Sequence, residues 1–179
     1  MDKIKELLNK KKNKKATSLQ VRALTDTSYK NIEHSLKDDD TNFELATYGD
    51  AILKFALSKI YFSESTHEEG LSKWREKYES DEVLVKVIAK HYKLLKYLDF
   101  DKVGNGKPEE QMPQDYEHRG QSDNNRHKFI ATAMEACLAA VYMENDENAV
   151  LALVENWIQW IDDAKKLATS QANIKNPRA

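Results

Sequence analysis

Residues 129–143 read FIATAMEACLAAVYM, and this stretch decides the fold class. Its side chains are apolar nearly all round, a pattern that predicts a helix buried in the core. Glu135 is the one charged residue in it. A buried, unpaired carboxylate is costly, so it normally forms a salt bridge or binds a metal ion. Lys54 and Arg119 are candidate salt-bridge partners, and both interpretations of Glu135 stay open at this point.

A second apolar stretch, residues 42–62, carries another embedded carboxylate, Asp50. Its apolar residues recur at helical spacing, which predicts a second core helix. Asp50 alone has a simple explanation, a pair with Lys54 one turn further on. Two carboxylates on two apolar helices, without paired histidines or cysteines, instead suit a hard cation such as Mg²⁺ or Mn²⁺.

Breaking residues are rare and clustered. The chain has five glycines and three prolines, and three of the former and two of the latter fall in residues 101–126. We expect a long loop there, and an all-α domain of about seven helices without a sheet around it. The predicted organisation is a basic N-terminal tail at 1–15, one domain at 16–168, and a disordered C-terminal tail at 169–179.

Composition excludes several classes of protein. No apolar run reaches the roughly 18 residues of a membrane helix, so no membrane partner is expected. Cys137 is the only cysteine, which excludes an intrachain disulfide and favours a reducing, cytoplasmic setting. Seven lysines lie in residues 1–15, although the net charge of the chain is −2. This tail either touches phosphates or only aids solubility.

Five segments, in order along the chain, resemble the characteristic motifs of ribonuclease III domains. They are ALTDTSY (23–29), NFELATYGDAI (42–52), EGLSKWR (69–75), HRG (118–120) and ATAMEA with AAVYM (131–143). The resemblance implies the all-helical endonuclease fold of that family. It also implies a homodimer that cleaves double-stranded RNA with Mg²⁺, in the processing of RNA such as ribosomal RNA.

The resemblance also assigns the site residues. Asp50 and Glu135 fall on catalytic, metal-binding positions, and Glu69 falls on an accessory catalytic position. Ala46 and Thr132 occupy two further positions that are acidic in most of the family. The short relatives called Mini-III share this reduced set and have no separate RNA-binding domain, and the resemblance leads us to expect none here.

Basic residues next to the last motif are candidates for RNA contacts. Arg119, Arg126, His127 and Lys128 would bind phosphates, unless they belong to an ordinary solvated loop. Two other functions remain. The first is a catalytically impaired member of the fold that binds double-stranded RNA or assists a ribosome or RNA-processing partner, motivated by Ala46 and Thr132. The second is an unrelated all-α phosphohydrolase, whose usual clustered E-x-x-E pairs are not found on the two apolar helices that carry Asp50 and Glu135.

Overall fold

The structure is a computed structural model that describes residues 2–63, 69–101 and 128–175, with side chains as far as 171. Most of these residues lie in helices. The helices are α1 (Lys3–Lys12), α2 (Ser18–Ala23), α3 (Phe43–Ser63), α4 (Leu71–Glu79), α5, α6 (Lys128–Glu144) and α7 (Glu147–Lys175). Helix α5 is a continuous run of Asp81–Val83, a π-helical turn Leu84–Ala89, and Lys90–Tyr92. No strand occurs in these ranges, only an isolated bridge between Thr25 and Asp99. The predicted all-α class is confirmed.

The helix predicted around Glu135 forms the centre of the core. Ten of the 17 residues of α6 are buried, and α3 packs along it. Helices α1, α2, α5 and α7 surround this pair. Other helices pack against α6 on several sides. A polar side chain on α6 can therefore reach solvent only where this packing leaves a gap. Glu135 lies at such a position and is only partly exposed.

Helix α4 runs back along α3 in the opposite direction. At the end of α3, the Tyr61 hydroxyl donates to the Glu69 carbonyl oxygen at 2.7 Å, just before α4 begins. At the other end of α4, the charge of Glu79 acts on Lys54, two turns earlier on α3. The hairpin therefore carries the start of α5 to the middle of α3.

The N-terminal segment, for which the sequence left open a solvated basic tail or a frayed helix, forms a helix that packs on the core. Ile4, Leu7 and Leu8 on α1 are 0%, 2% and 3% exposed. Asp2 caps the helix and also accepts a hydrogen bond from the Tyr92 hydroxyl at 3.0 Å. Three apolar residues at i, i+3 and i+4 form a single stripe, and this is enough to dock a helix whose other positions are mostly lysine.

The C-terminal boundary also differs from the expectation. Helix α7 continues to Lys175, beyond the predicted end of the domain at 168, and residues 176–179 lie outside the described residues. Its first half packs into the core through Val150, Leu153, Val154, Trp157 and Ile161. Residues 163–171 are exposed, and the helix continues through them because adding a turn to an existing helix costs little. The predicted loop at 101–126 lies, except for Asp101, outside the described residues.

None of the described helices is both long enough and apolar enough to span a membrane.

Candidate metal centre and active site

Helices α3 and α6 cross at Gly49, in the closest contact of the core. A Cβ atom added to Gly49 would lie 1.9 Å from the backbone oxygen of Glu135 and 2.4 Å from its carbonyl carbon. No side chain fits there, so only glycine lets the two backbones touch. Asp50 follows Gly49 directly, and the crossing therefore brings Asp50 and Glu135 close together, as the sequence predicted.

The Glu135 carboxylate has no salt bridge or hydrogen bond within the described part of the chain. Burial is the main cause that raises its pKa, and the neighbouring charges of Asp50 and then Asp81 raise it further, to about 7. Lys54 and Lys128 lower it by smaller amounts. A carboxyl group in this state has spare capacity for a cation. The alternative partner, Arg119, lies outside the described residues.

Lys54 pairs with Asp50 rather than with Glu135. Its Nζ atom lies 2.6 Å from Asp50 Oδ2, and this hydrogen bond raises the pKa of Lys54. The i,i+4 pair proposed from the sequence is therefore present. It leaves the second oxygen of the half-exposed Asp50 carboxylate without a partner in the described chain. A metal ion bound by Asp50 would be attracted to the same carboxylate as the ammonium group of Lys54.

Glu69 does not lie beside these carboxylates within the same subunit, and its accessory catalytic role stays a prediction. Its side chain is paired with Lys77. The contact with Tyr61 places it near the end of α3, a helix rise of about 16 Å from Asp50. The reason is the direction of α4, whose C-terminal end, rather than its N-terminal end, approaches Asp50.

The two reduced positions bring no charge to the site. Ala46 lies one turn before Asp50 and is 5% exposed. Thr132 lies one turn before Glu135, and its hydroxyl donates to the Lys128 carbonyl oxygen at 3.0 Å. Lys128 is exposed and close enough to act on Glu135, whereas Arg119, Arg126 and His127 lie outside the described residues.

Asp81 is a site residue that the sequence did not reveal. The N-cap of α5 is the preceding residue, Ser80, whose hydroxyl accepts from the Val83 amide. The Asp81 carboxylate is thus free of the capping role, and its charge acts on Glu135. The sequence Ser80-Asp81 allows either residue to be the N-cap, because serine and aspartate are about equally favoured at that position.

The donor set fits a hard cation that keeps some of its own water. Among the described residues, no three Asp, Glu, His or Cys side chains lie close enough to hold a metal ion together. Mg²⁺ is usually bound by one or two carboxylates, with water and substrate phosphates completing its octahedron. Asp50 and Glu135 supply such a pair, so the residues fit the ion.

A family model described as the ribonuclease III domain matches residues 44–146, which include all of α3 except its first residue and the whole of α4, α5 and α6. This chain belongs to the ribonuclease III domain family. The match contains both site carboxylates and Gly49, and membership places the chain among RNA endonucleases of a hydrolytic nuclease family. No curated protein matches the chain.

Two solved structures of the ribonuclease III nuclease domain from Campylobacter jejuni share the fold. Each superposes with a TM-score of 0.60 at 21% sequence identity. One alignment covers 88% of this chain and 95% of the other, and the second covers 89% and 93%. The likeness extends over the whole nuclease domain, including regions outside residues 44–146.

The raised pKa of Glu135 predicts a dependence of stability on pH in this ribonuclease III domain. Because the folded-state pKa, about 7, is above the ordinary value of 4.5, protonation of Glu135 favours the folded state. That contribution is fully present below pH 4.5 and is lost as pH rises through 7. Glu135→Gln, which mimics the protonated form, should leave stability unchanged near pH 5. Near pH 8 it should raise the free energy of unfolding by about 1–2 kcal/mol, a figure reduced for partial exposure.

The measurement is thermal unfolding of both proteins in EDTA at the two pH values. A gain of about 1–2 kcal/mol corresponds to a rise in Tm of roughly 2–8 °C for a domain of this size. A Glu135→Gln protein that is less stable than the parent near pH 8 would show that a cationic side chain holds the ionised carboxylate.

Proposed function

We propose that this chain is a divalent-metal-dependent endoribonuclease that hydrolyses phosphodiester bonds of double-stranded RNA, in RNA processing that includes ribosomal RNA. The observation that carries the proposal is the juxtaposition of Asp50 with the unpaired Glu135 carboxylate at the Gly49 crossing. Family membership supplies the reaction class, and the carboxylate pair supplies a place for the cation.

Asp50 and Glu135 would hold the cation, Mg²⁺ or Mn²⁺. Such an ion activates water and stabilises the charge that develops on the phosphodiester. Near neutral pH, Glu135 shares its site between a proton and the cation, since its pKa is about 7. Lys54 holds Asp50 in place and balances its charge before the cation arrives. Glu69 is paired with Lys77 near the end of α3, and the accessory role that the resemblance implies for it stays a prediction.

The proposed substrate is recognised by shape. A-form duplexes present phosphates and 2′-hydroxyl groups along a wide minor groove, and proteins read these with little dependence on sequence. Lys128 is exposed at the start of α6, two turns before Glu135. We propose that it contacts phosphates next to the cut, together with Arg119, Arg126 and His127.

A homodimer is the proposed assembly, formed through the solvent-facing stripe of α3. Tyr48, Phe55 and Phe62 follow each other at intervals of seven residues and are 45%, 49% and 75% exposed. An exposed aromatic stripe on a core helix is typical of an interface. One of the Campylobacter jejuni structures is described as flexible in a region involved in dimer formation of its nuclease domain. A two-fold dimer would contain two cation sites, one for each strand of the bound RNA duplex.

Phe55→Glu tests this interface. The change puts two carboxylates into a closed two-fold contact, where buried unpaired charges cost about 3–5 kcal/mol. We expect the dimer dissociation constant to rise by at least about a hundredfold. Sedimentation equilibrium measures it, with Leu167→Glu as the control, because Leu167 is also exposed but lies on α7. A parent protein that is monomeric at micromolar concentrations would contradict the proposed assembly, and so would a variant that dimerises as tightly as the parent.

A second function is favoured by the reduced positions, Ala46 and Thr132. Neither side chain can neutralise a cation, so a protein of this fold could bind duplex RNA without cutting it. The experiment that separates the two functions is incubation of the purified protein with long duplex RNA, with Mg²⁺ and then with EDTA. The proposed enzyme cuts only when the ion is present.

A further inference from the structure

Six exposed lysines lie at the end of α1 and along residues 90–96, the segment that ends α5 and then runs beside α1. They are Lys12, Lys14, Lys15, Lys90, Lys93 and Lys96, called the basic face below. None forms an ion pair or side-chain hydrogen bond with another residue of the described chain. In contrast, the lysines on the rest of α1 are all paired, as Lys3 and Lys10 are with Glu6.

Two contacts hold α1 beside residues 92–99. The Tyr92 hydroxyl donates to Asp2 at 3.0 Å, near the start of α1. Lys11, near its end, pairs with Asp99. The two segments therefore run in the same direction, side by side. Next to the first of these contacts, burial lowers the pKa of His91, and the charge of Lys5 lowers it further. The acidic groups in this area, Asp2 and Asp99, are already engaged.

Two of these lysines adopt a backbone conformation that favours glycine. Lys14 has φ 55° and Lys93 has φ 53°, and they are the only residues other than glycine with positive φ in the described chain. Lys14 follows the C-cap of α1 in a motif closed by the Lys15 amide and the Lys10 carbonyl oxygen at 2.8 Å. Glycine is the usual residue at this position, and another residue costs stability there. Both helices thus end on a lysine where glycine would be more stable.

We propose that the basic face is a second RNA-binding surface, which contacts the phosphate backbone of the duplex away from the cut. The inference rests on the proposed RNA substrate and extends it. Flexible lysines without apolar residues among them suit a regular array of phosphates and give little sequence preference. The N-terminal and C-terminal ends of α5 lie roughly 15–18 Å apart, and Asp81 at the first end is close to Glu135. A duplex of about 16 base pairs is long enough to reach both surfaces.

The surface would also explain how a chain with a net charge of −2 holds a polyanion. Residues 1–15 hold seven lysines against Asp2 and Glu6, a charge of +5, and the remaining residues of the chain carry −7. The duplex would contact the acidic site through the bound cation and the basic face through its lysines. Its affinity for the protein would therefore depend strongly on salt concentration.

The test is the double variant Lys14→Gly/Lys93→Gly, which removes two charges and relieves two unfavourable conformations. We expect its Tm to rise by about 2–4 °C. Its affinity for a duplex RNA of about 30 base pairs, measured in EDTA near 100 mM salt, should fall by about tenfold. The slope of log K against log salt should decrease by about two, close to one for each phosphate that a lysine no longer neutralises.

Two controls make the result specific. Lys73→Gln/Lys166→Gln removes the same charge from α4 and α7 and should bind like the parent. Lys14→Arg/Lys93→Arg keeps the charge and should also bind like the parent. The proposal is overturned if the glycine variant binds as tightly as the parent, if the glutamine control weakens binding equally, or if the parent prefers anionic lipid vesicles to the duplex. Because no cleavage is measured, a parent that binds but does not cut supports this surface while refuting the proposed activity.

Discussion

Gly49→Ala is expected to lower the free energy of unfolding by about 3 kcal/mol, at the upper end of the range for overpacked cores. The added methyl group would lie 1.9 Å from the Glu135 backbone oxygen. A backbone atom inside a packed helix pair cannot rotate away as a flexible side chain can, so α3 and α6 must separate. Thermal and urea unfolding measure the loss, which corresponds to roughly 6–12 °C in Tm.

Gly70→Ala is the matched control. Gly70 precedes α4 with φ −66°, a conformation open to alanine, and a Cβ atom there would meet nothing within 4 Å. We expect a change within about 0.5 kcal/mol. If Gly49→Ala were as harmless as Gly70→Ala, the two helices would not touch at this point. The geometric reason for the proximity of Asp50 and Glu135 would then disappear.

The parts of the fold that the sequence predicts are those with strong patterns. The apolar stretches at 42–62 and 129–143 correspond to α3 and α6, because burial dictates the periodicity of both. Embedded charges on such helices are conspicuous, so Asp50 and Glu135 could be singled out without coordinates. Their proximity follows from the direct packing of the two helices that carry them.

The remainder depends on tertiary contacts that no local pattern contains. Helix α1 looks like a solvated tail because its lysines outnumber Ile4, Leu7 and Leu8, the residues that dock it. The separation of Glu69 from the pair results from the direction of α4. The charge of Asp81 acts on Glu135 because the start of α5 packs against α6. The RNA-binding roles of Arg119, Arg126 and His127 stay predictions.

Asp50→Asn and Glu135→Gln are each expected to reduce Mg²⁺-dependent cleavage of duplex RNA by at least about a hundredfold. Each variant keeps the shape of the side chain and removes half of the negative charge that the described site offers a cation. Single-turnover cleavage at a fixed, near-neutral pH measures the effect, alongside thermal unfolding to confirm that the variants fold. Glu135→Gln should be at least as stable as the parent, so its loss of activity cannot result from unfolding.

Glu82→Gln is the control for any general effect of removing one carboxylate from the protein. Glu82 is next to Asp81 but pairs with Lys86 on the exposed side of α5, and we expect cleavage near the parent rate. Full activity in Asp50→Asn would show that the cation is held elsewhere, and the proposed site would have to be abandoned.

The Mg²⁺ concentration that gives half-maximal cleavage of duplex RNA, compared between the parent and Ala46→Glu/Thr132→Asp, tests the central claim most directly. Ala46 and Thr132 each lie one turn before a site carboxylate, so the new acidic groups would complete the charge around the cation. Ligand charge helps set the affinity for hard cations. We predict that the parent cuts, but only at high Mg²⁺, and that the variant needs roughly tenfold less, in line with typical effects of residues around a metal. A parent that binds duplex RNA but never cuts it, beside a variant that does cut, would contradict the account and identify the natural protein as a non-catalytic RNA-binding member of the family.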